Sequence, residues 1–213
     1  MDISRDLDSV GASYNAFTSK DYTGYYIKLE AEKLPLAVDM LEDMLYHSAY
    51  RPKDLLAERN VILEEIHMYE DNPMMFVEEM MEEELYGNTG LGRRISGTTQ
   101  TMAGIGREAL IAYRDAYYVP SRTVIAVAGK YDEEVVIGML EKTFGAKKEK
   151  KTPKPFAPFS FATGFTKPRV RIEHKDTEQV QLAIGFPAYG YPHPDMTALN
   201  VLCTILGGTM SSR

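Results

Sequence analysis

The sequence has no tryptophan, a single cysteine and no excess of basic residues. Its 213 residues carry 24 Lys and Arg against 31 Asp and Glu, a formal net charge of −7 at pH 7. Nucleic acids and anionic lipid surfaces attract proteins through positive charge, which this chain has in deficit. The short basic run at 147–151 does not reverse that balance. We therefore expect neither nucleic acid nor a membrane as a partner.

The sequence also lacks the features that are typical of exported proteins: a pair of cysteines, a long apolar run and a signal peptide. Cys203 has no second cysteine to pair with, and its apolar surroundings in LNVLCTILGG predict a buried, reduced thiol. No apolar run approaches the roughly 20 residues that cross a bilayer. The first residues, MDISRDLDSV, lack the basic region and apolar core of a signal peptide. These absences predict a cytoplasmic protein.

The residues that are present predict an α+β fold, with a mainly antiparallel sheet covered on one side by helices. Two runs rich in Tyr, Phe and Thr, 12–18 and 22–29, flank a short polar break and predict a hairpin. Further strands are predicted at 123–129, which we expect to be buried, and at 169–175 and 179–187. Apolar residues at helical spacing predict helices at 34–45, 53–71, 74–86, 107–118, 132–145 and 194–208.

Composition places a domain boundary in the C-terminal third. Residues 147–168 are rich in Lys, Pro and Phe and include Gly164, which is typical of a linker, so we predict a first domain at 1–146 and a second at 169–213. One strand pair and one helix are too few elements to close a core. We therefore expect the second domain to be the start of a longer one, and the chain to be a fragment.

The most unusual stretch is ERNVILEEIHMYED, residues 58–71. On a helix that advances about 100° per residue, Glu58 and Glu65 lie at the edge of the apolar stripe formed by Leu55, Ile62, Ile66 and Tyr69. This geometry predicts that both carboxylates point towards the core. A carboxylate there costs several kcal/mol unless a cation or a hydrogen-bond donor compensates it.

Several interpretations of this acidic helix are open at this point. Glu58 and Glu65 could form buried salt bridges. Glu64 and His67 have the Glu-x-x-His spacing of a di-iron bundle, but that site needs two such motifs and both residues are predicted to face solvent. The acidic block at 78–84 has the spacing of a solvated helix face.

Several long motifs resemble the pitrilysin/insulinase family of inverted zinc peptidases, in particular its processing-peptidase-like members. They occur in the order LDSVGASYNAFTSKDYTGYYIKL, LPLAVDMLEDML, ERNVILEEIHMYEDNP, LGRRISGT, YYVPSRTVIAVAGKYD, EQVQLAIGFP and LGGTMSSR. The resemblance covers nearly the whole chain. It implies a processing-peptidase-like (LuxS/metallohydrolase-like) domain followed by the beginning of a second, homologous domain.

The resemblance also implies roles for particular residues. Glu65 matches the family's third zinc ligand, and Glu58 matches a carboxylate that orients a ligand histidine or the zinc-bound water. Asn15, Ala16 and Phe17 match the strand that receives an extended peptide by strand addition. From the residues alone, the preferred interpretation is an ordinary sheet strand with Tyr14, Ala16 and Thr18 on one face.

The family's His-x-x-Glu-His motif, which supplies two zinc ligands and the general base, is absent from these 213 residues. We therefore expect Zn²⁺ in an intact parent enzyme but none tightly bound to this chain, which we expect to be inactive. The alternative is a noncatalytic homologue that serves as a structural or partner subunit. Peptide substrates, a second homologous domain or subunit, and a homodimer are the implied partners.

Overall fold

A computed structural model describes residues 3–148, 159 and 167–212. The helices are α1 (Ile3–Asp8), α2 (Leu34–Tyr46), α3 (Pro52–Asp71), α4 (Pro73–Tyr86), α5 (Thr99–Gly104), α6 (Arg107–Tyr117), α7 (Glu133–Thr143) and α8 (Met196–Cys203). A π-helical turn, Thr204–Gly208, continues α8. Six of these helices confirm the predicted ones, and the short α1 and α5 were not predicted. No helix in the described ranges is long and apolar enough to cross a bilayer.

The predicted hairpin is confirmed. Strands β1 (Ser13–Thr18) and β2 (Thr23–Lys28) pair antiparallel, with register from Ser13↔Lys28 to Thr18↔Thr23. The Ser19 N–H donates to the Tyr22 carbonyl at 2.8 Å and closes the connection. Together with the helices this makes an α+β fold, and its sheet is antiparallel and two-stranded within the described residues.

The described residues form two compact units. Among the described residues, the first draws on 3–72 and 94–148, and the second on 73–93, 159 and 167–212. In the first unit, α2 packs against α7 and β2, and α3 packs against α5. Its most deeply buried side chains are those of Leu7, Met40 and Ile66. Most of the predicted linker at 147–168 lies outside the described residues, so the predicted domain boundary stays a prediction.

The second unit contains α4, α8 and the segment 167–187. Met80 of α4 is its buried apolar side chain among those described. Arg171 forms an ion pair with Glu83, and the Arg169 guanidinium donates to the Leu85 carbonyl at 3.3 Å. Glu83 therefore has a specific partner, although the acidic block was expected to be only a solvated face.

The strands predicted at 123–129, 169–175 and 179–187 were wrong, because none of them pairs with another strand in the described part of the chain. The first was also expected to be buried, yet Val124 is 93% exposed. A run of β-branched residues forms a strand only where a neighbour accepts its backbone hydrogen bonds. Cys203 corrects a further expectation, since it is exposed rather than buried.

Two tyrosines tie the hairpin to the end of α6. The hydroxyls of Tyr25 on β2 and Tyr118 lie 2.9 Å apart, and their rings pack edge to face. Burial, together with the hydrogen bond and charge of Tyr118, raises the pKa of Tyr25 well above its ordinary range. A raised pKa in the folded state favours the neutral phenol. This contribution to stability is present below about pH 10 and is lost as the pH rises further.

We expect Tyr25→Phe to lower the free energy of unfolding by about 1 kcal/mol at pH 7, because Tyr118 loses its partner. We also expect the variant to lose less stability than the wild type between neutral and strongly alkaline pH. Urea unfolding followed by circular dichroism at both pH values measures each effect. Tyr26→Phe is the matched control, since Tyr26 is the next residue on β2 and is exposed. Equal alkaline destabilisation of the wild type and Tyr25→Phe would contradict the assignment.

Candidate functional site

The two carboxylates singled out by the sequence lie on one continuous helix. Proline at the first position of α3 fits its unpaired N-terminal turn, and Asn72 is extended before Pro73, which ends the helix. Between these limits no glycine or proline interrupts α3. Glu58 and Glu65 are seven residues apart, so they lie on the same side of the helix, about 10 Å apart along its axis.

The predicted burial of these carboxylates was wrong. Ile66 is 2% exposed and marks the side of α3 that packs into the first unit, whereas Glu58 and Glu65 are exposed. Val61 and Met68, on the same side as the two acids, are 52% and 54% exposed. We call Glu58, Val61, Glu65 and Met68 the carboxylate face. It is an accessible surface that mixes anionic and apolar groups.

The carboxylate face is not a complete metal site. The described residues contain no group of three or more His, Cys, Asp or Glu side chains placed to hold a metal ion. Glu64 and His67 are exposed, as predicted. One carboxylate supplies one ligand, whereas zinc sites in proteins take three or four. The face can therefore contribute to a metal centre but cannot form one alone.

Three arginines that the sequence analysis did not single out hold the ends of the elements around α3. On α6, Arg114 donates to the Ser48 carbonyl at 3.0 Å, and Arg107 donates to the carbonyls of Ala49 and Tyr50. Arg59 of α3 donates to the Ile105 carbonyl at 2.6 Å, just before α6. These bonds join the loop that precedes α3 to α6, and α3 itself to the start of α6.

The loop held by these arginines has an unusual backbone. Tyr50 has φ of 45°, in the left-handed region that residues with a side chain seldom adopt. The Arg114 guanidinium lies 5.7 Å from the Tyr50 ring centroid, which favours that conformation through a cation–π contact. The spacing of Arg107 and Arg114, two turns apart on one helix, was the signal in the sequence that could have drawn attention to them.

The proposed peptide-binding strand is at the edge of the hairpin. β1 pairs with β2 on one side only within the described residues, and all six of its residues are exposed. Asn15, Ala16 and Phe17 lie opposite Tyr26, Tyr25 and Gly24. No described hydrogen bond or ion pair links these strand residues to the carboxylate face.

The ring of Phe17 lies over the glycine on the opposite strand, Gly24. A Cβ added at Gly24 would overlap the Phe17 ring, so the ring occupies the space of the missing side chain. The Phe17 ring also meets the Tyr22 ring edge to face, with 6.0 Å between centroids. The sequence signal was a glycine inside a β-prone run, which often marks such a close approach. Phe17 therefore leans over β2 and leaves the outer edge of β1 open.

Comparison with protein-family models matches almost the entire chain. Residues 1–99 match the model described as Insulinase (Peptidase family M16), and residues 104–213 match the model described as Peptidase M16 inactive domain.

Individual relatives and solved structures agree with these matches. The uncharacterized zinc protease YmxG of Bacillus subtilis is 39% identical over the whole chain, which covers 50% of that protein. The beta subunit of the mitochondrial-processing peptidase of Bos taurus is 31% identical over 97% of the chain and 42% of its own length. A peptidase M16 inactive domain from Pseudomonas fluorescens shares the fold, with a TM-score of 0.77, 18% identity, and coverage of 97% of this chain and 50% of that one. The chain spans about half the length of the curated relatives it matches.

We expect Gly24→Ala to destabilise the protein by about 1–3 kcal/mol, because the new methyl group displaces the Phe17 ring. The effect should largely disappear in a Phe17→Ala background, where the space is free. A double-mutant cycle measured by urea unfolding gives this coupling directly. Gly90→Ala is the control, since an added Cβ there meets no neighbouring atom. Additive effects of the two substitutions would contradict the packing of Phe17 on Gly24.

Proposed function

Because this chain belongs to the insulinase family of peptidases, family M16, we propose that it forms part of a zinc-dependent endopeptidase of the processing-peptidase type. The substrates are peptides or unfolded segments. The accessible carboxylate face of α3 carries the proposal, because it presents Glu65 and Glu58 to a partner from outside the described residues. Relatives named as zinc proteases support it.

Glu65 and Glu58 take different parts in this proposal. Glu65 would bind zinc through its carboxylate, and Glu58 would orient a ligand histidine or the bound water. Bound zinc supplies a Lewis acid that polarises a carbonyl and lowers the pKa of water. The residues fit the role in charge and accessibility. Two histidines and a general base would have to come from outside these 213 residues, which contain no His-x-x-Glu-His.

The hairpin edge would position the substrate. An extended peptide can add to the open side of β1 through backbone hydrogen bonds, with Asn15, Ala16 and Phe17 as the contact residues. Backbone pairing gives affinity with little dependence on side chains, which suits an enzyme that acts on varied unfolded segments. Side-chain selectivity would arise from the neighbouring groups, such as Phe17.

The wider context is part of the same proposal. We infer a partner in a second homologous domain or subunit, with a homodimer as one form of it, since one relative is itself named as a subunit. We also propose that residues 1–146 form a first domain, residues 147–168 a linker, and residues 169–213 the beginning of a second domain. With a net charge of −7, the chain offers little to nucleic acid or anionic membranes. A cytoplasmic location fits the single cysteine.

A noncatalytic homologue acting as a structural or partner subunit is the second candidate. It is favoured by the match of residues 104–213 to a model described as an inactive domain. The DNA upstream of the first codon discriminates the two candidates. An in-frame His-x-x-Glu-His favours the peptidase, and its absence from the whole reading frame favours the noncatalytic subunit.

We expect Glu65→Gln in the full-length product of the gene to lose zinc and to lower peptide cleavage at least about 100-fold, since a neutral amide replaces an anionic ligand. Metal content after dialysis and cleavage of a fluorogenic peptide measure the two effects. Glu64→Gln is the matched control, because Glu64 is the adjacent exposed acid on another side of α3. Stoichiometric zinc and full activity in Glu65→Gln would contradict the proposed ligand.

The 213-residue chain itself should retain no stoichiometric zinc and cleave no peptide, because it carries one ligand of three. Elemental analysis after dialysis against zinc-containing and then zinc-free buffer tests this. Zinc retained at one equivalent, and lost in Glu65→Ala, would show that this chain completes a site by itself.

A further inference from the structure

The direction of the backbone groups along β1 follows from the hairpin register. The Ser19 N–H bonds the Tyr22 carbonyl, so the adjacent pair Thr18↔Thr23 is a non-hydrogen-bonded pair. The two kinds of pair alternate along an antiparallel ladder. Ala16↔Tyr25 is therefore also non-hydrogen-bonded. The Ala16 N–H and C=O point away from β2, towards the open edge.

The outward Ala16 N–H already has a partner from its own strand. It donates to Asn15 Oδ1 at 2.8 Å. Asn15 belongs to a hydrogen-bonded pair with Tyr26, so its own backbone groups face β2 while its side chain reaches round to the edge. The Asn15 carboxamide thus already accepts the hydrogen bond of the Ala16 N–H, which is the middle donor on the edge to which a peptide would add.

We propose that Asn15 is an exchangeable cap on the edge of β1, which competes with an incoming peptide for the Ala16 N–H. This proposal rests on the proposed peptide-binding role of β1 and refines the part of Asn15 in it: the backbone of Asn15 faces β2, and its carboxamide competes with the peptide for the Ala16 N–H instead of contacting the peptide. An added strand replaces the Asn15 Oδ1 acceptor with one of its own carbonyls. Exchanging one acceptor for another is nearly balanced, so the cap lowers peptide affinity modestly.

The same cap restrains association between copies of this chain. An edge strand with free donors and acceptors is a template for pairing with any extended segment. Local bonds from Asn side chains to nearby backbone groups compete with such pairing. Removing the carboxamide should therefore strengthen both peptide addition and self-pairing through β1.

The cap is tested first without any peptide, by amide hydrogen exchange of the full chain measured by NMR. Asn15→Ala should speed exchange of the Ala16 amide about two- to tenfold, after correction for the change in intrinsic exchange rate that the substitution causes. This factor corresponds to the loss of one hydrogen bond. Asn15→Asp keeps an acceptor and should retain the protection. Asn60→Ala, at an exposed asparagine of α3, is the control. Unchanged exchange of the Ala16 amide in Asn15→Ala would overturn the cap.

Competition is tested by titrating the same proteins with an acetylated, amidated seven-residue peptide of alternating Thr and Val. We expect shifts of the Tyr14, Ala16 and Thr18 amides, and tighter binding to Asn15→Ala by about two- to tenfold. Weaker binding to Asn15→Ala would overturn the competition and make Asn15 a direct peptide contact. Absence of shifts at these amides in every variant would overturn the peptide-binding role of β1 and the competition with it. The exchange experiment decides the cap separately.

Discussion

The first unit depends on guanidinium groups that bind backbone carbonyls where the chain turns from α2 into α3. Arg107 and Arg114 bond three successive carbonyls, Ser48, Ala49 and Tyr50, in a loop whose last residue has a left-handed backbone. A charged donor contributes roughly 1.5–3 kcal/mol to such a bond. That is comparable to the cost of the strained residue it accompanies. The start of α3, and hence the direction of its carboxylate face, is set by this arrangement.

Periodicity was enough to locate the long helices, because each has a repeating apolar face and a proline or glycine near its limits. It also located the hairpin, whose two strands are close in sequence and satisfy one another. It failed for 123–129, 169–175 and 179–187. A strand forms only by pairing with another strand, and the sequence of one segment does not indicate whether such a partner lies beside it. The helices α1 and α5 were too short to show a period.

The helical wheel failed at the carboxylates for a related reason. It correctly placed Glu58 and Glu65 on one side of α3, next to the stripe that contains Ile66. It could not say where the packed surface ends, because burial depends on what the other elements cover. The structure covers Ile66 and leaves Val61, Met68 and both acids exposed. The spacing of Arg107 and Arg114 marked these two residues, but the sequence could not identify their acceptors, because any residue carries a backbone carbonyl.

The composition of the carboxylate face limits what could cover it. Val61 and Met68 favour burial, at about 25 cal/mol per Å² of apolar surface removed from water. A segment that buries them would also remove Glu58 and Glu65 from water. Burying an uncompensated carboxylate costs several kcal/mol, which exceeds the free energy gained by burying the two apolar side chains. A purely apolar cover is therefore unfavourable. Any segment that closes over this face must bring positive charge with it, as a metal ion held by its own ligands or as a guanidinium or ammonium group.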